Sequence, residues 1–164
     1  MKSRIVSFFL CLIVWLGLSW SVDWQHLLIG FIVSLFVSYL VGDLFTQNPW
    51  KFRQPGRYLW AIYYLLVLFW EMLKANLDVA YRVIHPKLPI RPGIVKVKTK
   101  LKSDAALTYL ANSITLTPGT FTIDIDKENG YLYIHWINVV SEDLDKATEI
   151  IVRKFEKILE RIFE

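Results

Sequence analysis

The stretch Tyr58-Leu59-Trp60-Ala61-Ile62-Tyr63-Tyr64-Leu65-Leu66-Val67-Leu68-Phe69-Trp70-Glu71-Met72-Leu73-Lys74-Ala75-Asn76-Leu77-Asp78-Val79-Ala80-Tyr81-Arg82 changes character part way along, and that change decides the fold. Through Trp70 it is apolar on every side, which a surface-lying amphipathic helix would not be. Tyr58 to Leu73 would rise about 24 Å as a helix, short for a bilayer span. No breaker appears before Pro86, so the helix is expected to continue. Glu71, Lys74, Asp78 and Arg82 then share one face with alternating sign, where neighbours pair, while Leu73, Leu77, Ala80 and Ile84 share the opposite face. The sequence predicts a helix over 58–85 that crosses the membrane and leaves it as an amphipathic stem. Glu71 at the membrane edge is a candidate element of an ion path. The plainer reading is a self-paired face that docks on a partner or meets headgroups.

Two apolar runs lie upstream. Between Arg4 and Asp43 the only formally charged residue is Asp23. Residues 5–22 and 24–42 are each about long enough to cross a bilayer as helices. Lys2 and Arg4 before the first run also suit a signal peptide, but the second run follows at once and favours a retained helix. The Ser21-Val22-Asp23 link predicts an antiparallel hairpin, with Trp20 and Trp24 at the interface. Gly42-Asp43 and Asn48-Pro49 are expected to break the second helix, and Ser34, Ser38 and Gln25 to bond adjacent helices. Positive charge gives conflicting orientations. The Ser21–Gln25 link has no Lys or Arg, whereas Lys51, Arg53 and Arg57 mark the next loop as inside. Three spans would then put the Lys-rich tail outside, so either the amino terminus is outside or one run does not cross.

Beyond Ile84 the composition is that of a soluble domain. Pro86, Pro89 and Pro92-Gly93 form a stiff connector over 86–93. Val95, Val97, Thr99 and Leu101 alternate with Lys96, Lys98, Lys100 and Lys102, the period of a strand with one lysine face. Ser103 or Asp104 can cap a helix carrying Leu107, Leu110, Ala111 and Ile114 on one side. Pro118-Gly119 suits a type II turn. Two further alternating stretches, Phe121–Asp126 and Tyr131–Trp136, flank an Asn129-Gly130 hairpin turn. A final helix from Ser141 carries Leu144, Ala147, Ile151, Phe155, Ile158 and Ile162 on one stripe. The fold class expected is membrane α-helical, about three hydrophobic helices in residues 1–85, plus a small α+β two-layer domain over 94–164 in the order β-α-β-β-α. The outer sheet face would present Lys96, Lys98, Lys100, Asp124, Asp126, Tyr131, Tyr133 and His135. It is a candidate contact surface for an acidic partner or anionic lipid, although lysines also protect strand edges and pair with aspartates across strands.

Catalytic and cofactor signatures are not found. Cys11 is the single cysteine and lies in an apolar run, and the three histidines have no ligand spacing, so no metal site is expected. Thr117-Pro118-Gly119-Thr120 lacks the lysine and spacing of a phosphate loop. The net charge of +4 comes without a nucleic-acid-binding motif. No catalytic residue and no cofactor is assigned.

One segment is more specific than the rest: Leu110-Ala111-Asn112-Ser113-Ile114-Thr115-Leu116-Thr117-Pro118-Gly119-Thr120. With Glu71, Asn76, Pro86, Pro92-Gly93-Ile94, Asp124 and His135 in order around it, the chain resembles the E subunit of the Mrp family of multisubunit sodium/proton antiporters, including the equivalent subunit of related membrane-bound hydrogenase complexes. The resemblance runs over nearly the whole sequence; Phe121 departs from an expected leucine. It implies a non-catalytic accessory or assembly subunit in a prokaryotic cytoplasmic membrane, with a cytoplasmic tail. Its partners would be large and small antiporter subunits, with translocation resting mainly on the large ones. The alternatives are a membrane-tethered binding module and a small self-assembling channel, the latter resting on Glu71 alone.

Overall fold

The computed structural model describes residues 2–21, 23–45 and 54–164. The chain divides into two compact units, Met1–Gln54 and Pro55–Glu164.

The first unit is a helical hairpin of α1 (Lys2–Ser19) and α2 (Trp24–Phe45). Small residues let the two helices approach: Ser7, Ser34 and Ser38 are buried. The Trp15 ring lies so close over Gly30 that any Cβ there would collide with it, and its Nε1 donates to the His26 carbonyl at 3.0 Å. Phe8 and Phe31 meet edge to face. Trp20, at φ 47°, ends α1. Two expectations change. The helix runs through Gly42-Asp43 to Phe45, because one glycine costs a helix only about 1 kcal/mol. Ser38 Oγ bonds the Leu35 carbonyl of its own helix, and Ser34 Oγ has no partner among the described residues, so both serve close packing within the hairpin. The predicted break at Asn48-Pro49 lies outside the described residues.

The second unit begins with α3 (Pro55–Ile84), 30 residues long. Then come β1 (Gly93–Lys98), α4 (Asp104–Leu116), β2 (Thr120–Asp126), β3 (Tyr131–Trp136), α5 (Leu144–Ile151) and α6 (Arg153–Phe163). The sheet is antiparallel in the order β1-β3-β2. Its inner face carries Val95, Val97, Leu132 and Ile134, which form one core with Leu107, Leu110, Ile114, Phe155 and Leu159. Ser103 Oγ caps α4 by accepting from Ala106 N at 3.3 Å. Gly119 and Gly130 take φ of 94° and 71° at the two predicted turns.

The final helix is two helices. Ile150, Ile151 and Val152 are consecutive β-branched residues that hold a helix weakly. They sit where the stripe must change partners, since α5 packs on β1 and α6 on α3 and α4. Both Phe155 N and Glu156 N bond the Val152 carbonyl at this swivel.

Helix α3, grouped by sequence with residues 1–85, makes its contacts inside the second unit. Tyr64 is buried in the domain core, with Val67 and Leu68 packed against it. Arg57 Nη1 donates to the Ile162 carbonyl at 2.5 Å, and Arg161 lies over the Trp60 ring. The all-round apolarity of residues 58–70 therefore has two sources: one side meets α4 and α6, and the other is exposed.

A groove between the stem helix and the α/β domain

The two features singled out in the sequence meet. The charge stripe of α3 and the turn of the Leu110–Thr120 segment border one groove of about 260 Å³, with Glu71, Lys74 and Asp78 on one wall and Thr117, Pro118 and Lys154 on the other.

Glu71 is the centre of charge. Its carboxylate accepts from Lys74 one turn along α3 and from Lys154 Nζ of α6 at 2.5 Å. The Glu71 side chain is only 14% exposed, against 51% and 37% for the two lysines. The ammonium groups thus face water while the carboxylate fills the wall. One turn further, Arg82 grips Asp78 with Nε and Nη2 at 2.7 and 3.0 Å and donates from Nη1 to the Pro89 carbonyl at 2.6 Å. All four stripe residues are engaged within the chain, and Arg82 also fixes the connector.

The Leu110–Thr120 segment is a helix stop. Leu110, Ala111 and Ile114 are buried in the core. The hydroxyl of Thr117 lies 2.7 Å from the Ile114 carbonyl and 3.0 Å from Thr120 Oγ1, which lies 2.6 Å from the same carbonyl. Thr122 Oγ1 reaches the Ala111 carbonyl. Pro118 has no N–H to offer the Ile114 carbonyl, and the Thr117 and Thr120 hydroxyls take that place at the end of α4. Pro118 and Gly119 then reverse the chain; a Cβ on Gly119 would lie 2.9 Å from Ile137 Cγ2 and 3.5 Å from Val79 Cγ2 of α3. The turn after α4 thereby fits between Val79 of α3 and Ile137, the residue after β3. Ser113, between its buried neighbours, shares a short hydrogen bond with Tyr64 of α3. Asn112 and Thr115 stay on the exposed side, Thr115 accepting from Thr122 N.

The outer sheet face carries Lys96, Lys98, Asp124, Asp126, Tyr131, Tyr133 and His135, but β1 ends at Lys98 and leaves the expected Lys100 beyond the sheet, its backbone N–H on Glu156. Because β3 is central, rows run Lys96–Tyr133–Asp124 and Lys98–Tyr131–Asp126, with Ile94–His135–Phe121 beyond. Tyrosines separate the lysines from the aspartates, so the expected Lys–Asp pairs do not form. Lys96 lies 3.7 Å from the Tyr131 ring centroid, a cation–π contact. Lys98 turns to Asp145 of α5, and that hydrogen bond holds the Asp145 carboxyl below the ordinary range. Asp126 is lowered by the side-chain and then the backbone hydrogen bond of Asn129. Ile123 is the bulged residue that shifts register between Thr122 and Asp124.

Sequence reasoning missed Lys154, Tyr64 and Glu156. Glu156 is buried at 3% exposure; it accepts from Thr99 Oγ1 at 2.7 Å and Lys100 N at 2.6 Å, and Arg153 Nη1 lies 3.4 Å away. With Thr148 Oγ1 accepting from Lys98 N, it closes the outer edge of β1. The signal was an acid inside the apolar stripe of α6, four residues after Val152. Among the described residues no three His, Cys, Asp or Glu side chains converge on a metal position.

Comparison with known proteins gives a consistent picture. The family described as Na+/H+ ion antiporter subunit matches residues 8–162. The E subunit of the Na(+)/H(+) antiporter of Alkalihalophilus pseudofirmus is 39% identical over 132 residues, 80% of each chain. The E1 subunit of the Na(+)/H(+) antiporter of Staphylococcus haemolyticus is 36% identical, covering 100% of this chain and 99% of its own. Among solved structures, a chain of the membrane-bound sulfane sulfur reductase, an archaeal respiratory membrane complex, superposes with a TM-score of 0.88 at 43% identity, covering 99% of this chain and 100% of that one.

Proposed function

We propose, from the premise that this chain belongs to the family of Na+/H+ antiporter E subunits, that its work is to hold a transport complex together and not to pass ions itself. Membership bears out the resemblance carried by Leu110–Thr120. The chain is a subunit of a multisubunit, antiporter-type membrane complex, and the other subunits are its partners. The family is one of antiporter subunits and not of catalytic enzymes.

The observation that carries the assembly role is the state of Glu71. A carboxylate that relays sodium or protons needs a changing partner or an open water path. Glu71 is instead clamped by Lys74 and Lys154 of its own chain. The acidic residues of the hairpin are Asp23 in the link and Asp43 near the end of α2, one at each end of that helix and neither midway along it.

The chain is multi-pass, with α1 and α2 as its spans in a prokaryotic cytoplasmic membrane. Their 18 and 22 residues rise about 27 and 33 Å. Two spans place Lys2, Arg4, Lys51, Arg53, Arg57 and the lysine-rich tail together on the cytoplasmic side, leaving outside only the Ser21–Gln25 link, which has no Lys or Arg. The near-complete match to a respiratory complex chain supports a host assembly with a redox arm.

The test is replacement of the native chain by Glu71→Gln in cells, followed by native-gel quantification of the complex and sodium-driven proton flux in everted vesicles. The expected result is a lower yield of complex with unchanged flux per assembled complex. Full assembly with lost flux would overturn the assignment, as would a deletion strain whose complex stays intact and fully active.

A further inference from the structure

We infer that α3, although long and apolar enough to cross a membrane, lies along the cytoplasmic surface of the bilayer with its outer face in the headgroup–acyl boundary. This rests on the membrane association of the family and is independent of the assembly role.

The domain covers α3 along its length. Arg57 bonds Ile162, Trp60 stacks under Arg161, Tyr64 bonds Ser113, Glu71 binds Lys154, and Val79 lies beside Gly119. From Arg57 to Val79 is about 33 Å of helix, which equals or exceeds the hydrocarbon thickness of roughly 30 Å. No segment of α3 long enough to span is free of the domain. A spanning α3 would carry Lys154, Arg161 and the rest of α6 into hydrocarbon, where each charge is costly.

The opposite face suits the interface. Leu59, Ile62, Leu66, Phe69, Leu73, Leu77 and Ile84 recur at helical spacing on one exposed stripe that runs nearly the whole helix. Tyr58, Tyr63, Trp70 and Tyr81 are exposed along it, the residue types that settle at headgroup level. Arg57, Lys74 and Arg161 lie toward the domain, where Arg57 bonds Ile162, Lys74 bonds Glu71 and Arg161 lies over Trp60, so the stripe itself stays apolar. The occupant is therefore a bilayer surface, its acyl boundary against the stripe and its headgroup level against Tyr58, Tyr63, Trp70 and Tyr81. One run that does not cross also removes the conflict in the positive-charge pattern.

Depth measurement tests this directly. Single cysteines at Leu59, Leu66, Leu73 and Leu77, in full-length protein with Cys11→Ser, would carry a nitroxide label in vesicles of phosphatidylcholine with one quarter phosphatidylglycerol. Accessibility to oxygen against a water-soluble nickel complex reports depth at each position. The expected result is one shallow depth at all four, about 5–10 Å below the phosphates. A profile that is deepest at Leu66 and shallow at Leu59 and Leu77 would establish a span and overturn the inference. Labels shielded from both reagents would show a protein partner on this face and overturn it equally. Neither result depends on whether the complex assembles, so this outcome and the assembly test stand apart.

Discussion

Replacing Glu156 with alanine tests whether a single buried acid closes the sheet edge. The carboxylate accepts two bonds from the residues that follow β1, from Thr99 Oγ1 and Lys100 N. A hydrogen bond to a charged group contributes about 1.5–3 kcal/mol. Water can re-solvate Lys100, which is exposed, so the lower end applies to both bonds and the expected loss is about 3 kcal/mol. That is a substantial part of a typical domain stability of about 5–15 kcal/mol, yet leaves the fold populated. At about 1.4 kcal/mol per factor of ten, the opening equilibrium at the β1 edge shifts roughly 100-fold. Glu156→Gln retains an acceptor oxygen and should lose only about 1 kcal/mol. The assay is hydrogen exchange by mass spectrometry on full-length protein in nanodiscs, reading peptides across residues 95–103 against the α1–α2 hairpin as internal control. Wild-type protection of residues 98–101 in the alanine variant would refute the reasoning.

Gly119→Ala should lose about 2 kcal/mol, from a left-handed backbone penalty of about 1–2 kcal/mol and the close approach of Ile137, read as a lowered urea midpoint. Tyr64→Phe removes one hydrogen bond and should lose about 1 kcal/mol, whereas Tyr64→Ala opens the core beneath α3 and should lose about 3–5 kcal/mol in the same assay. Asp145 and Asp126 are held below the ordinary carboxylate range, so their contribution is present above about pH 4 and is lost as pH falls through the depressed folded values. A stability titration should show that acid loss, and Lys98→Met should remove the Asp145 part of it.

Local pattern carried much of this fold into view. Alternation found all three strands, Ser103 named its own helix, and the glycines at 119 and 130 marked both turns, because each depends on residues within a few positions of one another. Strand order was hidden, since nothing in Lys96 or Asp124 says that Tyr133 comes between them. The swivel at Val152 was hidden for a related reason: α5 and α6 share one apolar stripe but cover different partners. At the groove, the α3 stripe was legible from spacing, but Lys154 is 83 residues from Glu71, and no periodicity links them. The stretch 58–70 was the instructive case. Apolarity on all sides is what a span would have, and it is equally what a helix has when protein covers one side and another apolar medium meets the other.

That long-range closure bears on how the chain is made. At about 5–20 residues per second, Lys154 is synthesised some 4–17 seconds after Glu71. Through that interval α3 lacks the part of its inner cover that α6 supplies, and its apolar residues 58–70 read as a span to machinery that samples nascent segments for hydrophobicity. With α3 in the bilayer surface, insertion competes with docking until α6 arrives, and a chain truncated before α6 is expected to insert α3 more often than the full chain.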